Sequence, residues 1–153
     1  MILYPGTPTD TEASISKILV REEGLVLHAY PDSKGLLTIG IGTMVDERAG
    51  GGITLAEAYL LMGNRLAEKR DGMDHAIPWW RTVDAVRRDV LLAMAYQMGV
   101  AGLLTFNNTL EAARLGQWRT VAAGIRSSKW AKTDSPARAE RMAQAMETGK
   151  LVP

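Results

Sequence analysis

Residues 23–43 read EGLVLHAYPDSKGLLTIGIGT. The central PDSKG segment is rich in turn-forming residues and lies between two short β-prone runs, so the stretch predicts a small hairpin or meander. Asp32 then falls in the turn and Thr38 on the returning strand. Glu23 precedes a glycine that is a natural C′ residue, which places this carboxylic acid in the last turn of a helix ending there.

Helical patterns surround the hairpin on both sides. A first helix is expected over residues 11–24, and Thr54 and Glu57 form a capping box that opens a long helix reaching past Lys69. Further helices are expected over residues 82–99, 107–115, 118–132 and 136–149, the last with Ser135 as its N-cap. The fold class is therefore α+β: a small N-terminal sheet joined by a long helix to a mostly helical C-terminal lobe, with a substrate cleft between them.

Length and composition favour a single domain over residues 1–153. We expect a leader at 1–10, an N-terminal lobe at about 11–53, a connecting helix at about 54–77 and a helical lobe at about 78–153. With 153 residues and no cysteine, the chain is long enough to bury a core without disulfides and suits a reducing compartment. The amino terminus lacks a basic n-region and no window approaches ~18 consecutive apolar residues, so neither a signal peptide nor a membrane span is expected.

The net charge of +1 conceals an uneven distribution. Residues 81–153 hold eleven Lys and Arg against six Asp and Glu, so the C-terminal half is basic and the N-terminal half acidic. A basic lobe can attract anionic outer-membrane or cell-wall polymers, although solvated helix faces give the same count. The acidic first half argues against nucleic acid as a partner.

Glu23, Asp32 and Thr38 together provide the groups needed to hydrolyse a glycosidic bond. A carboxylic acid protonates the leaving oxygen, while a carboxylate and a hydroxyl hold or activate a water. The C-terminal end of a helix dipole disfavours the charged form of the acid at position 23, whereas the polar turn favours an ionised Asp32. On spacing alone, a capped helix followed by an Asx turn is favoured over a catalytic role for these residues.

A wider set of motifs resembles the phage-type lysozyme (endolysin) family. The shared segments include Glu-Gly-Leu at 23–25, Ile-Gly-Ile-Gly at 39–42, Tyr-Gln-Met-Gly at 96–99, Phe-Asn-Asn-Thr-Leu at 106–110 and Pro-Ala-Arg-Ala at 136–139. The resemblance covers nearly the whole chain after residue 11. The chain departs from the family at Thr43, where relatives usually have a His, and at Leu36 and Leu37, which replace an often aromatic pair.

The resemblance implies a function and a set of site residues. It makes Glu23 the general acid, with Asp32 and Thr38 positioning the water, in a muramidase that cuts the β-1,4 bond between N-acetylmuramic acid and N-acetylglucosamine of bacterial peptidoglycan. The substrate-binding residues that it implies are Met44, Tyr96, Phe106, Asn108 and Thr109. It also makes Arg138 a partner of the acid. Gly124 matches a position where a side chain can contact sugar, which glycine lacks.

Neither a metal nor a cofactor is expected, because His28 and His75 lack a companion at ligand spacing and Gly40-Ile41-Gly42 does not lead into a helix. A monomer is expected. The family implies residence in the host bacterial cytoplasm until release to the wall, or alternatively association with the virion. Two other functions remain open: a non-catalytic wall-binding or membrane-active protein on the same fold, and a lytic transglycosylase, against which the Asp32–Thr38 pair argues.

Overall fold

The structure is a computed structural model that describes residues 13–45 and 52–151. The chain divides into two compact units, Met1–Asn64 and Arg65–Pro153. The expected leader, the first two residues of the first predicted helix and Gly50 and Gly51 lie outside the described residues. Within the described ranges the α+β prediction is confirmed, since helices predominate and one small antiparallel sheet is present.

Within residues 13–45, the first unit contains one helix and a three-stranded antiparallel sheet. Helix α1 spans Ala13–Glu23, and strands β1, β2 and β3 span Val26–Pro31, Leu37–Gly40 and Thr43–Met44, in that order across the sheet. On the central strand, Thr38 pairs with Tyr30 of β1 and with Met44 of β3. The predicted hairpin is therefore confirmed, with a third strand added to it.

Helix α2 spans Leu55–Ala76, and its start follows the predicted capping box. The Thr54 backbone N–H donates to Glu57 Oε2 at 2.8 Å, and the Glu57 N–H donates to Thr54 Oγ1 at 3.3 Å. These reciprocal bonds satisfy two of the amide donors that every helix start leaves unpaired. The helix extends beyond Lys69, as predicted.

The second unit is a helical lobe with its own apolar core. A 3₁₀ helix at Pro78–Thr82 precedes α3 (Ala85–Leu104), α4 (Asn107–Arg114) and α5 (Trp118–Ser127), and a π-helical turn at Trp130–Asp134 precedes α6 (Pro136–Thr148). Side chains from all of these elements meet in one buried cluster, which includes Trp80, Met94, Leu103, Ile125, Trp130 and Met146. Trp80 and Trp130 are core residues, as expected of tryptophans in a small helical lobe.

Three details of the helical predictions are corrected. The helix expected to stop at Gly99 loses helical dihedrals there, with φ 78° and ψ 161°, but resumes and continues to Leu104. The helix expected over 118–132 ends at Ser127, because Ser128 adopts an extended conformation before the π turn. Ser135 stands at the N-cap position of α6 without capping it: its hydroxyl accepts a 2.8 Å bond from Gln97 Nε2.

Among residues 13–45 and 52–151, no single helix combines the length and apolar character needed to cross a bilayer. Helices α3 and α4 meet those criteria only when they are taken together, and they are bent by 106° relative to each other.

Candidate active site

Glu23 is the last residue of α1, as predicted. The Gly24 N–H donates to the Val20 carbonyl at 3.0 Å, and Gly24 has a positive φ of 77°, the conformation that ends a helix at a C′ glycine. The Glu23 side chain is exposed and lies against Gly42, in the turn between β2 and β3. The general-acid candidate is thus held between a helix end and a sheet turn of the same unit.

Asp32 opens the turn between β1 and β2 and organises it with one carboxylate oxygen. Oδ1 accepts the backbone N–H groups of Lys34 and Leu36, both at 2.8 Å. The Asp32 carbonyl accepts the Gly35 N–H at 2.9 Å, which closes the turn. Oδ2 receives no hydrogen bond from the residues that the structure describes, so one oxygen shapes the loop and the other is available as an acceptor.

Thr38 is buried, with 5% of its surface exposed, on the central strand of the sheet. Its hydroxyl donates to the Leu36 carbonyl at 3.3 Å. The sequence predicted that this hydroxyl helps to hold a water, whereas its partner among the described residues is a main-chain carbonyl. Because the hydroxyl proton is used on Leu36, the Thr38 oxygen is left as a hydrogen-bond acceptor.

Leu36 connects the two residues through its main chain. Its N–H donates to Asp32 Oδ1, and its carbonyl accepts both the Asp32 N–H, at 2.8 Å, and the Thr38 hydroxyl. Asp32 and Thr38 are therefore joined through one residue, which sequence reasoning missed because the contribution comes from the backbone.

The second unit has a groove of about 930 Å³ that contains three of the predicted substrate-binding residues. Phe106, Asn108 and Thr109 line it at the start of α4, and Phe106 packs edge-to-face on Trp130, with ring centroids 6.4 Å apart. Tyr96 is 43% exposed on α3 and is not among the lining residues. Met44, also partly exposed, belongs to β3 of the first unit.

Gly124 also lines this groove, opposite Thr109. A Cβ placed on Gly124 would overlap Thr109 Oγ1 and come within 3.3 Å of Thr109 Cβ. The Thr109 side chain thus occupies the space that a larger residue at position 124 would need. The sequence showed that position 124 lacks a side chain to contact sugar, and the structure shows that the Thr109 side chain fills the adjacent space.

Arg138 lies in the first turn of α6 and is exposed. It belongs to the second unit, whereas Glu23 belongs to the first. The pairing of Arg138 with the acid remains a prediction.

Comparison with known proteins places the chain in a family. A family model described as phage lysozyme matches residues 20–144. The chain is 33% identical to the pre-baseplate central spike protein Gp5 of Enterobacteria phage T4, over 94% of this chain and 30% of that protein. It is 26% and 24% identical to probable T4-type lysozymes 1 and 2 of Dictyostelium discoideum, over 91% of this chain and 96% of each relative. The chain thus spans less than a third of the spike protein and nearly the full length of the two lysozymes.

Proposed function

This chain belongs to the phage lysozyme family, and from that premise we propose that it is a muramidase with Glu23, Asp32 and Thr38 as its catalytic residues. The substrate is bacterial peptidoglycan, and the bond cleaved is the β-1,4 link between N-acetylmuramic acid and N-acetylglucosamine. The observation that carries the proposal is the linkage of Asp32 to Thr38 through Leu36, because it leaves one acceptor oxygen on the β1–β2 turn and one on the strand that follows it.

The acceptor oxygens of Asp32 and Thr38 are suited to holding a nucleophilic water, because a water can donate a hydrogen bond to each of them. A water that donates its two hydrogens to Asp32 Oδ2 and Thr38 Oγ1 keeps a lone pair for attack on the anomeric carbon. Glu23 transfers its proton to the leaving glycosidic oxygen as the C–O bond breaks, and Asp32 takes the proton that the water loses. Atoms and charge balance with water as the only co-reactant.

The groove of the second unit is a candidate surface for the glycan. Phe106 offers an apolar ring, while Asn108 and Thr109 offer hydrogen-bonding groups, the combination of apolar surface and a few polar groups that is typical of ligand sites. We assign these three residues, with Met44 and Tyr96, to substrate binding. Arg138 is assigned as the cation that pairs with Glu23.

The decisive experiment compares wild type with Glu23→Gln on purified peptidoglycan. Loss of the acidic proton should abolish release of reducing ends while circular dichroism stays unchanged, because the exchange is isosteric. Glu22→Gln is the matched control: Glu22 is the adjacent exposed acid and forms an ion pair with Arg21 at 2.8 Å. Equal rates for wild type and Glu23→Gln would reject Glu23 as the general acid, and no release of reducing ends by either would favour a non-catalytic wall-binding or membrane-active protein.

Product masses test the transglycosylase alternative. Hydrolysis leaves a reducing muramic acid end, whereas transglycosylation leaves an anhydro product lighter by one water. Asp32 Oδ2 and Thr38 Oγ1 accept no hydrogen bond from the described residues, which supports hydrolysis because they provide for a bound water.

Two biological settings fit a muramidase of this family. Similarity to the central spike protein supports a virion-associated enzyme that opens the wall locally. The match over nearly the full length of the T4-type lysozymes supports a free-standing enzyme, and for that case we propose a lysis enzyme held in the host cytoplasm until its release. Mass spectrometry of purified virions separates the two settings, since only the first predicts the chain in the particle.

A further inference from the structure

Gly42 stands unusually close to the proposed acid. An ideal Cβ built on Gly42 would lie 2.6 Å from Glu23 Oε2, 3.1 Å from Glu23 Cδ and 3.0 Å from Glu23 Cβ. Real Cβ atoms essentially never come within 3.0 Å of another heavy atom, so a Cβ at position 42 would force the Glu23 side chain to shift. The Glu23 carboxylate therefore occupies space that exists only because residue 42 has no side chain.

Gly42 also has a positive φ of 60°, so its glycine could be explained by backbone conformation alone. Comparison with Gly40, two residues earlier, distinguishes the need for a positive φ from the need for space beside Glu23. Its φ is 72°, and an ideal Cβ on it would meet no atom within 4 Å. Both glycines spare the chain the same left-handed strain, but only Gly42 makes room for another residue.

The contact with Glu23 Cβ determines what a larger residue at position 42 would do. A carboxylate oxygen at the end of a flexible chain can rotate away from a clash, whereas Glu23 Cβ is fixed to the backbone of α1. A methyl group at 42 would therefore both turn the Glu23 side chain and push the end of α1 from the β2–β3 turn. Each movement displaces the proton-donating oxygen.

We propose that Gly42 is a positioning residue: its missing side chain sets where the Glu23 carboxylate stands. This inference rests on the proposed function, in which Glu23 must reach the leaving oxygen. Misplacing a reacting group by about 1 Å can cost on the order of 10²-fold in rate. The Gly-x-Gly pair at 40–42 thus combines one glycine needed for backbone geometry and one needed for the acid.

The kinetic test compares Gly42→Ala with Gly40→Ala on soluble peptidoglycan oligosaccharides. Both variants force an alanine into the left-handed region, so both should lower the melting temperature, Gly42→Ala by more because its methyl group also meets Glu23. We expect kcat to fall by about 10- to 100-fold in Gly42→Ala with KM within about 2-fold of wild type, because acid placement affects the chemical step. Gly40→Ala should retain kcat. Equal kcat values for the two variants would overturn the inference.

A stability test does not depend on activity. Glu23→Ala removes Oε2 and Cδ, which relieves two of the three close contacts and leaves the one with Glu23 Cβ. We therefore expect Gly42→Ala to lower the melting temperature less in that background than in wild type. Additive losses would overturn the inference even if the protein proved inactive. The two proposals can fail separately. If wild type and Glu23→Gln act equally on peptidoglycan, the proposed function fails. Non-additive losses of melting temperature in the Gly42→Ala and Glu23→Ala double-mutant cycle would still establish the steric contact between these residues.

Discussion

At the scale of single residues, Thr38 is a buried polar group with its hydroxyl proton already used. Replacing it with valine keeps the shape but removes both the bond to the Leu36 carbonyl and the acceptor for water. We expect Thr38→Val to lose about 1 kcal/mol of stability and on the order of 10²-fold in kcat. Denaturant titration and reducing-end release measure the two effects.

Thr38→Ser is the matched control for that change, since serine restores the hydroxyl and removes only a methyl group. The serine variant should keep its rate within a few-fold of wild type. If valine and serine variants turned over peptidoglycan equally fast, the hydroxyl would have no part in holding the water.

At the scale of elements, Arg87 of α3 fastens the end of α6. Its guanidinium donates to the carbonyls of Met146, at 2.7 Å, and Glu147, at 3.2 Å, and stacks 4.2 Å over the Trp118 ring at the start of α5. A cation at a helix C-terminus satisfies carbonyls that the helix itself leaves unpaired and complements its dipole. One side chain therefore joins three helices.

Arg87→Met should accordingly destabilise the protein by about 2 kcal/mol, because hydrogen bonds to a charged group are lost along with the stacking. Urea unfolding measures this change. Arg88→Met is the control, since it removes the same charge from the adjacent position, where the described residues provide the side chain with no hydrogen-bond or ion-pair partner. Equal losses for the two variants would show that the capping bonds contribute nothing.

Arg126 makes a second connection, between α5 and α6. It pairs with Glu140 through two bonds, at 2.9 and 3.0 Å, and with Glu147 at 3.1 Å. The hydrogen bond from Arg126, followed by that from Gln144, lowers the pKa of Glu140 below its ordinary value of 4.5. Both carboxylates are partly exposed, so the contribution to stability is small and sensitive to salt.

The sign of that shift predicts a pH dependence. A depressed carboxyl pKa stabilises the fold fully above the unfolded value, and this stabilisation is lost as pH falls through the folded value. The melting temperature of Glu140→Gln should therefore lie below that of wild type at pH 7, and the gap should narrow as pH falls below about 4.5. Calorimetry across this range measures the gap, and a constant difference would exclude the ion pair as its source.

At the scale of the whole molecule, apolar burial is concentrated in one of the two units. The buried apolar residues among those described lie in the helical lobe, whereas Thr38 is the buried residue of the described sheet and α1. Regions with few buried contacts open locally at low free energy. Native-state hydrogen exchange should show α3, α5 and α6 as the slowest amides and the hairpin as faster, and uniform protection would contradict this gradient.

Features that depend on interactions between residues close in sequence were predicted correctly, whereas features that depend on distant residues were not. Glu23 at a helix end and Asp32 in a turn were predictable because each depends on neighbours within a few residues: a C′ glycine and an Asx turn. Ser135 was assigned a capping role that it does not have, because its hydroxyl bonds to Gln97, which is 38 positions away. The roles proposed for Glu23, Asp32 and Thr38 stay predictions.

The same distinction explains the remaining differences. The early end of α5 and the π turn after it bring Trp130 into the core. This is an effect of tertiary packing, which local helix propensity cannot predict. The helix after Gly99 resumes and buries Leu103 in that core. The proximity of Gly42 to Glu23 joins two elements that pattern and spacing treat separately.

The bridge through Leu36 has a consequence for mutational tolerance. The β1–β2 turn is held by the backbone N–H and carbonyl of Leu36, and nearly every amino acid has both groups. Many different side chains at position 36 should therefore preserve the link between Asp32 and Thr38. Proline is the exception, since it has no N–H to give to Asp32. A saturation library at this codon should yield active clones across chemically diverse side chains and lose only the proline variant, an unusual profile for a residue so close to the reaction.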